Sequence, residues 1–416
     1  MIRIMRLALK NLLRYKRRSL LTGLLIVVGV VAVIVDVGLS DSFTQTITGQ
    51  ITDSVISDLQ VHQKGYLASV DNLPLDRLMS PEQYKQVATI LSDEPGIEAY
   101  SPRIKFAAML SNYVQTTGVR LNGVYPEQED KTVPLLNSRI KDRIHNDVLL
   151  MPGEMLLPEI VASGMGVKPG DTVVLVATNK DGSVNGMNFK VAGIVESLMG
   201  PGGRDGYIYI DDAATLLRME DKEISEVAVR VKDFNNLAAV AKHLRSLLEP
   251  VKNTQGKPAF EIHTWDQITP FSNIISLVNL MAIGIKVILI AIVLIAVFNV
   301  MIMSIYERVR EIGTLAAIGT PPGRIMLLFM AEGFGLGLVS SVVGVLLGLA
   351  ALFILNLTGV AITFGSNNQL FNLKPSVTAG DLIFTCLLVL AISVLASLQP
   401  AIKAARMKPA DALRHV

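Results

Sequence analysis

Four long apolar runs separated by polar stretches limit this chain to very few architectures. The first run, residues 19–35, and another, 287–305, contain no charged residue. Each is close to the roughly 20 helical residues needed to cross about 30 Å of hydrocarbon. A third run, 325–357, is interrupted only by Glu332, and a fourth covers 382–398. Between the first two runs lie the mostly polar residues 40–270. The pattern predicts an α-helical membrane protein with four transmembrane helices and a large mixed α/β extracytoplasmic domain between helices 1 and 2. A hydrophobic share of 50% with a mean hydropathy of +0.46 agrees with a chain divided between lipid and water.

Orientation is read from flanking cations. Arg3, Arg6, Lys10, Arg14, Lys16, Arg17 and Arg18 precede the first run without an acid among them. Lys403, Arg406, Lys408 and Arg414 follow the last, opposed only by Asp411. Both ends are therefore expected in the cytoplasm, with the insert outside. The insert holds 30 acidic and 22 basic residues, so the whole-chain charge of +2 hides two opposite regions and implies no nucleic-acid partner. The sequence around Asp36 lacks an A-x-A cleavage site, so the first run reads as a retained anchor. Ahead of it, Ile2, Met5, Leu9 and Leu12 fall on one helical face and the cations on another, as in a helix lying along the headgroups.

Strand patterns occur at 119–124, 172–177, 189–195, 207–210 and 226–231, and helical patterns at 81–91 and 237–248. The run from Asn179 to Ser183, with Asp181-Gly182, has hairpin chemistry. The glycine-rich stretch 200–206 has no helix start placed to make it a phosphate cradle. The five histidines have no metal-ligand spacing, and no nucleophile elbow, H-E-x-x-H or phosphate-loop motif is present. The chain is expected to catalyse nothing and to bind no cofactor. If ATP powers it, a partner binds the nucleotide and Mg. The single cysteine, Cys386, lies in the fourth run as an apolar filler and makes no intrachain disulfide.

Lys286 and Asp36 are expected at the outer interface, and Glu332 near the inner boundary or on a buried helix contact. Gly333, Gly337, Ser341, Gly344 and Gly348 line small residues along one face of the third run, for close packing within the subunit or across a dimer. Residues 306–319 continue the second helix and then turn at 320–323. There Ile312, Leu315 and Ile318 form an apolar face for a partner's groove, or the stretch is an ordinary short loop.

E-R-V-R-E-I-G-T-L-A-A-I-G at 307–319 resembles the R-x-R-E-I-G-x-L-R-A-L-G hallmark of FtsX-like, MacB-type permeases of ABC transporters, with Ala316 and Ile318 as departures. P-A-I-K-A-A-R-M-K-P-A-D-A-L-R at 400–414 is similar to the family's ending, and Ala8 to Arg14 with Arg18-Ser19 to its opening. The resemblance covers the whole chain. Within the family, Pro95-Gly96-Ile97 with Pro102, Gly123-Val124 with Pro126 and Glu129, residues 167–171 and residues 191–194 look like the lipoprotein-releasing LolC/LolE type. The hairpin at Asp181-Gly182 falls where that type has its carrier-binding hook, though it is short.

The resemblance implies a cytoplasmic amphipathic helix (1–18), transmembrane helix 1 (19–39), a MacB-like periplasmic domain (40–270), a stalk (271–286) and transmembrane helix 2 (287–305). A coupling helix and turn (306–323), transmembrane helix 3 (324–357), a short external loop (358–380), transmembrane helix 4 (381–399) and a cytoplasmic tail (400–416) follow. Glu307, Arg308, Arg310, Glu311, Ile312, Gly313, Leu315, Ala317 and Gly319 would rest on a separate ABC ATPase subunit, which holds ATP and Mg. A second permease, identical or a paralogue, would complete eight spans in the inner membrane. Motion would pass along the second spans and stalks to the outer domains, extracting lipoproteins from the outer leaflet, with a periplasmic carrier or adaptor receiving them. Leu39, Phe43 and Ile47 share a helical face just beyond the first span, for contact with the lipoprotein or amphiphile or for packing against the second stalk. The other readings are MacB-like export of peptides or amphiphiles and an FtsX-like relay to a cell-wall hydrolase.

Overall fold

The computed structural model describes residues 16–145, 148–197, 204–253, 256–269, 271–364 and 369–407. The expected amphipathic helix at 1–18 lies almost wholly outside the described residues, as do most of the glycine-rich stretch and the end of the tail. The chain divides into two compact units. Among the described residues one takes 16–46, 275–364 and 369–407, and the other takes 47–274.

The second unit is built on a ten-stranded sheet. Its strands are β1 (Leu59–Gln63), β2 (Ile97–Ser111), β3 (Thr116–Val124), β4 (Ile140–Lys141), β5 (Glu154–Pro158), β6 (Thr172–Thr178), β7 (Val184–Val195), β8 (Gly206–Tyr209), β9 (Glu226–Val231) and β10 (Phe260–Thr264). Their order is β10-β1-β9-β2-β3-β8-β5-β7-β4, with β6 paired to both β2 and β7. Pairing is antiparallel except between β3 and β8 and between β5 and β7.

The local chemistry explains several elements. Ser80 caps the helix Pro81–Asp93 reciprocally with Gln83, and Pro81 stands where its missing N–H costs nothing. In the helix Leu237–Leu248, Leu237, Ala241, Leu244 and Leu248 are buried at helical spacing. The turn between β6 and β7 closes with Gly182 at φ +84°, a backbone state that asks little of glycine. The helix Leu237–Leu248 and strands β1, β2, β6, β7 and β9 contribute to the main core, where Val61, Phe106, Leu175, Phe189, Val229 and Leu244 are buried.

Among the described residues four helices are long and apolar enough to cross a membrane: Ser19–Ile56, Phe271–Glu307, Pro322–Thr358 and Ala379–Ala405. The first two overrun the expected spans the furthest. The α-helix Lys16–Ile51 has 36 residues and is followed by a π-helical turn, Thr52–Ile56. The helix Phe271–Glu307 merges the expected stalk and second span into one element of 37 residues. At 1.5 Å per residue each is about 55 Å long, well beyond about 30 Å of hydrocarbon. No proline interrupts either one.

Two expectations change. Residues 306–319 do not continue the second helix: the helix stops at Glu307, Arg308 takes φ −115° and ψ 21°, and a separate helix runs Val309–Ala317. The expected loop at 358–380 contains an antiparallel pair of strands, β11 (Ala361–Phe364) and β12 (Gln369–Asn372), rich in β-branched and aromatic residues.

Candidate coupling site

The short helix Val309–Ala317 is strongly two-sided. Val309, Ile312 and Gly313 are buried, whereas Arg310, Glu311, Thr314 and Ala317 are exposed. Leu315 and Ala316 are half-buried, Glu307 and Gly319 are exposed, and Ile318 is 74% exposed. The expected apolar face of Ile312, Leu315 and Ile318 is therefore split. At 100° per residue Ile312 and Ile318 stand about 120° apart, so the first joins the helical core while the second faces out.

The helix is stopped by backbone chemistry. Gly319 takes φ +85°, its N–H donates to Ala316 O, and Thr320 N–H donates to Leu315 O, the six-to-one bond of a glycine-ended helix. Pro321 then precedes the third spanning helix, which carries Pro322 at its start.

Its start is held by charge. Arg308 Nη1 donates to Glu332 Oε1 at 2.7 Å, and Arg308 Nε donates to Glu311 Oε2 at 2.9 Å. The guanidinium also lies 5.6 Å from the centre of the Phe329 ring. Glu332 is 4% exposed, on the third helix.

The small-residue positions lie inside the helical unit. A Cβ on Gly333 would stand 2.8 Å from Ser397, and one on Gly337 2.7 Å from Ser393 Oγ, both on the fourth helix. A Cβ on Gly344 would come 2.7 Å from Val30, and one on Gly348 2.9 Å from Ile34, both on the first helix. Ser341 is buried and donates to Leu338 O. One face thus serves two neighbours within the same subunit.

The set Leu39, Phe43 and Ile47 is divided by the boundary between the units. Leu39 and Phe43 are half-buried in the helical unit, while Ile47 belongs to the sheet unit and is 4% exposed.

The sheet unit holds a constellation that the sequence did not announce. Arg103 is 1% exposed, with Nη2 2.7 Å from Glu129 Oε1 and Nη1 donating to Glu226 Oε1 at 3.1 Å. Lys105 Nζ is 3.1 Å from the same Glu226 oxygen, and His62 Nε2 is 3.7 Å from the other. Gln60 Nε2 donates both to Glu226 Oε1 and to Ile56 O. Burial alone would raise the Glu226 carboxyl, but Lys105, His62 and Arg103 outweigh it and hold it well below the usual carboxylate range. Burial likewise opposes the charge on Arg103, and Glu129 and Glu226 restore it. At Asp58 burial prevails: it pushes the carboxyl up to about 6, against the Val231 N–H it accepts at 2.8 Å and the nearby Arg230 cation.

The available signal was a period-two polar pattern, with Gln60 and His62 on β1 and Arg103 and Lys105 on β2. It acquires meaning only once register sets both His62 and Arg103 opposite Glu226. Among the described residues no cluster of His, Cys, Asp and Glu could hold a metal ion.

Two family models match the chain. Residues 19–247 match the MacB-like periplasmic core domain, and residues 283–409 match the FtsX-like permease C-terminal domain. A lipoprotein-releasing system transmembrane protein LolC of Neisseria meningitidis is 25% identical over 414 residues, covering 94% of this chain and 92% of that protein. A macrolide export ATP-binding/permease protein MacB of Bdellovibrio bacteriovorus is 25% identical over 411 residues, covering 96% of this chain and 60% of the relative. Among solved structures, the periplasmic region of MacB from Actinobacillus actinomycetemcomitans covers 55% of this chain and 95% of its own at 16% identity, with a TM-score of 0.36.

Proposed function

Because the chain belongs to the FtsX-like, MacB-type permeases of ABC transporters, we propose that it receives motion from a separate ATPase and uses it to release lipoproteins from the outer leaflet of the inner membrane. The observation that carries the coupling role is the segment between the second and third spans. It is a distinct short helix, anchored on one side by Ile312 and Arg308 and exposed on the other along Arg310, Glu311, Thr314 and Ala317. Such a helix can be pushed as a body without unfolding.

In this reading both termini are cytoplasmic, ATP and Mg are held by the ATPase, and two permease copies form the working unit. The chain itself carries no catalytic step. The first and second helices, each longer than the bilayer is thick, serve as levers toward the outside. The lipoprotein reading is supported by the LolC relative, which matches along nearly the whole of both chains. Export of peptides or amphiphiles is the second reading, supported by a MacB relative of equal identity.

Purification of the full chain from its own membranes tests the coupling role, and reconstitution in liposomes separates the cargoes. The expected result is capture of an ATPase, followed by ATP-dependent transfer of an acylated lipoprotein from liposomes to a soluble carrier. Capture of a membrane-fusion adaptor, with ATP-dependent movement of amphiphiles alone, would favour export. Recovery of the chain without any ATPase would overturn both.

A further inference from the structure

The break at Arg308 changes the path by which movement can travel. Residue 308 has non-helical φ and ψ, so the short helix is joined to the second span through a break and not by a continuous rod. Its side chain bridges to a different helix. The guanidinium donates to Glu332 and Glu311 and stands over Phe329. Glu332 and Phe329 are three residues apart on the third helix and so present one surface to it.

The surroundings strengthen this attachment. Arg308 and Glu332 are both buried, and ionic attraction grows as the local dielectric falls. A lone carboxylate inside an apolar helix is costly, so Glu332 has strong reason to keep its cation through any movement. Val309 and Ile312 are buried as well, and Ile312 shares a core with Ile325 and Phe329 of the third helix.

We infer that Arg308 and Glu332 form the joint that delivers movement of the short helix to the third span. The inference rests on the reading of residues 307–319 as the segment an ATPase moves. It assigns Arg308 and Glu332 a positioning role, and it makes the third span a direct recipient of the stroke alongside the second.

The test uses the full chain with its captured ATPase in lipid nanodiscs, with Cys386→Ala as background and Leu357→Cys as reporter. Leu357 lies at the far end of the third helix and is exposed. A membrane-impermeant maleimide measures its labelling rate without nucleotide and after vanadate trapping, and a thermal melt follows the fold. The unmodified pair should give a several-fold change in labelling between the two states. Arg308→Met and Glu332→Gln should each lower the melting midpoint and abolish the change. The double variant leaves no lone buried charge, so its midpoint should recover while the labelling change stays absent.

Recovery of both properties in the double variant would mean the pair only stabilises packing, and would overturn the inference. So would a full labelling change in either single variant, or a nucleotide-insensitive Leu357→Cys in a chain that captures and turns over an ATPase. Should a single variant fail to accumulate, the double variant decides alone. Failure of the unmodified chain to capture any ATPase would instead overturn the functional reading on which the joint depends.

Discussion

Replacing Arg103 with methionine should destabilise the sheet unit far more than any exposed ion pair could. The substitution keeps an unbranched, bulky side chain but removes the cation 2.7 Å from Glu129 and 3.1 Å from Glu226. Glu226 retains Lys105 at 3.1 Å, whereas Glu129, fully buried, loses the cation paired with it. Breaking a buried pair from one side typically costs about 3–5 kcal/mol, because the remaining charge is stranded. For a unit of this size each kcal/mol moves the midpoint by about 2–4 °C, so the expected fall is about 6–20 °C. The single tryptophan, Trp265, lies in the sheet unit against its main core, so its fluorescence in the full detergent-solubilised chain reports that unit alone. Lys180→Ala is the control, since its pair with Glu223 is half exposed and should contribute at most about 1 kcal/mol. Equal, small shifts for Arg103→Met and Lys180→Ala would refute the claim that Glu129 and Glu226 depend on Arg103. Adding Glu129→Gln to Arg103→Met should return part of the loss, which a volume effect would not do.

Asp58 gives the sheet unit a pH dependence. Its folded carboxyl is raised to about 6, so it favours the folded state below the ordinary carboxylate value of 3.8, and that contribution is lost as pH rises through 6. Asp58→Asn should therefore stabilise the sheet unit at pH 7 by about 1–3 kcal/mol and flatten its melting profile between pH 4 and 6. A lower midpoint at pH 7 would contradict this. Gly344→Leu should loosen the helical unit, since even a Cβ would lie 2.7 Å from Val30, and overpacking costs about 1–3 kcal/mol. Detergent melts should show a lower midpoint, and an unchanged midpoint would mean the first and third helices are not held so closely. Gly319→Ala meets no neighbour but must occupy φ +85°, at a cost of about 1–2 kcal/mol. Limited proteolysis of residues 318–323 should accelerate by roughly 5- to 30-fold if opening of the turn governs cleavage.

Much of this architecture could be read from the sequence because lipid imposes strict demands. Apolar length alone locates the four helices, and hydrophobic period locates Leu237–Leu248 and the segments that became β3, β6, β7, β8 and β9. Strand β5 escaped because all five of its residues are buried, which erases the alternation that marks a half-exposed strand. The fifteen-residue β2 escaped because Pro102, Arg103 and Lys105 interrupt its apolar pattern, and only pairing across the sheet supplies their partners. At the candidate site the motif at 307–319 was legible, but its division into two elements was not. The side chain that accompanies the break belongs to Glu332, 24 residues further on. A local pattern has no means of reporting such a partner.

The glycines of the third helix have a mechanical corollary. Two notches receive the fourth helix at Ser393 and Ser397, and two more receive the first at Val30 and Ile34. Backbones seated this closely have little room to roll past one another, so a tilt imposed at Glu332 would carry both neighbours as passengers. The helical unit would then respond to a stroke as a keyed assembly turning about its third member, with the glycines acting as the teeth.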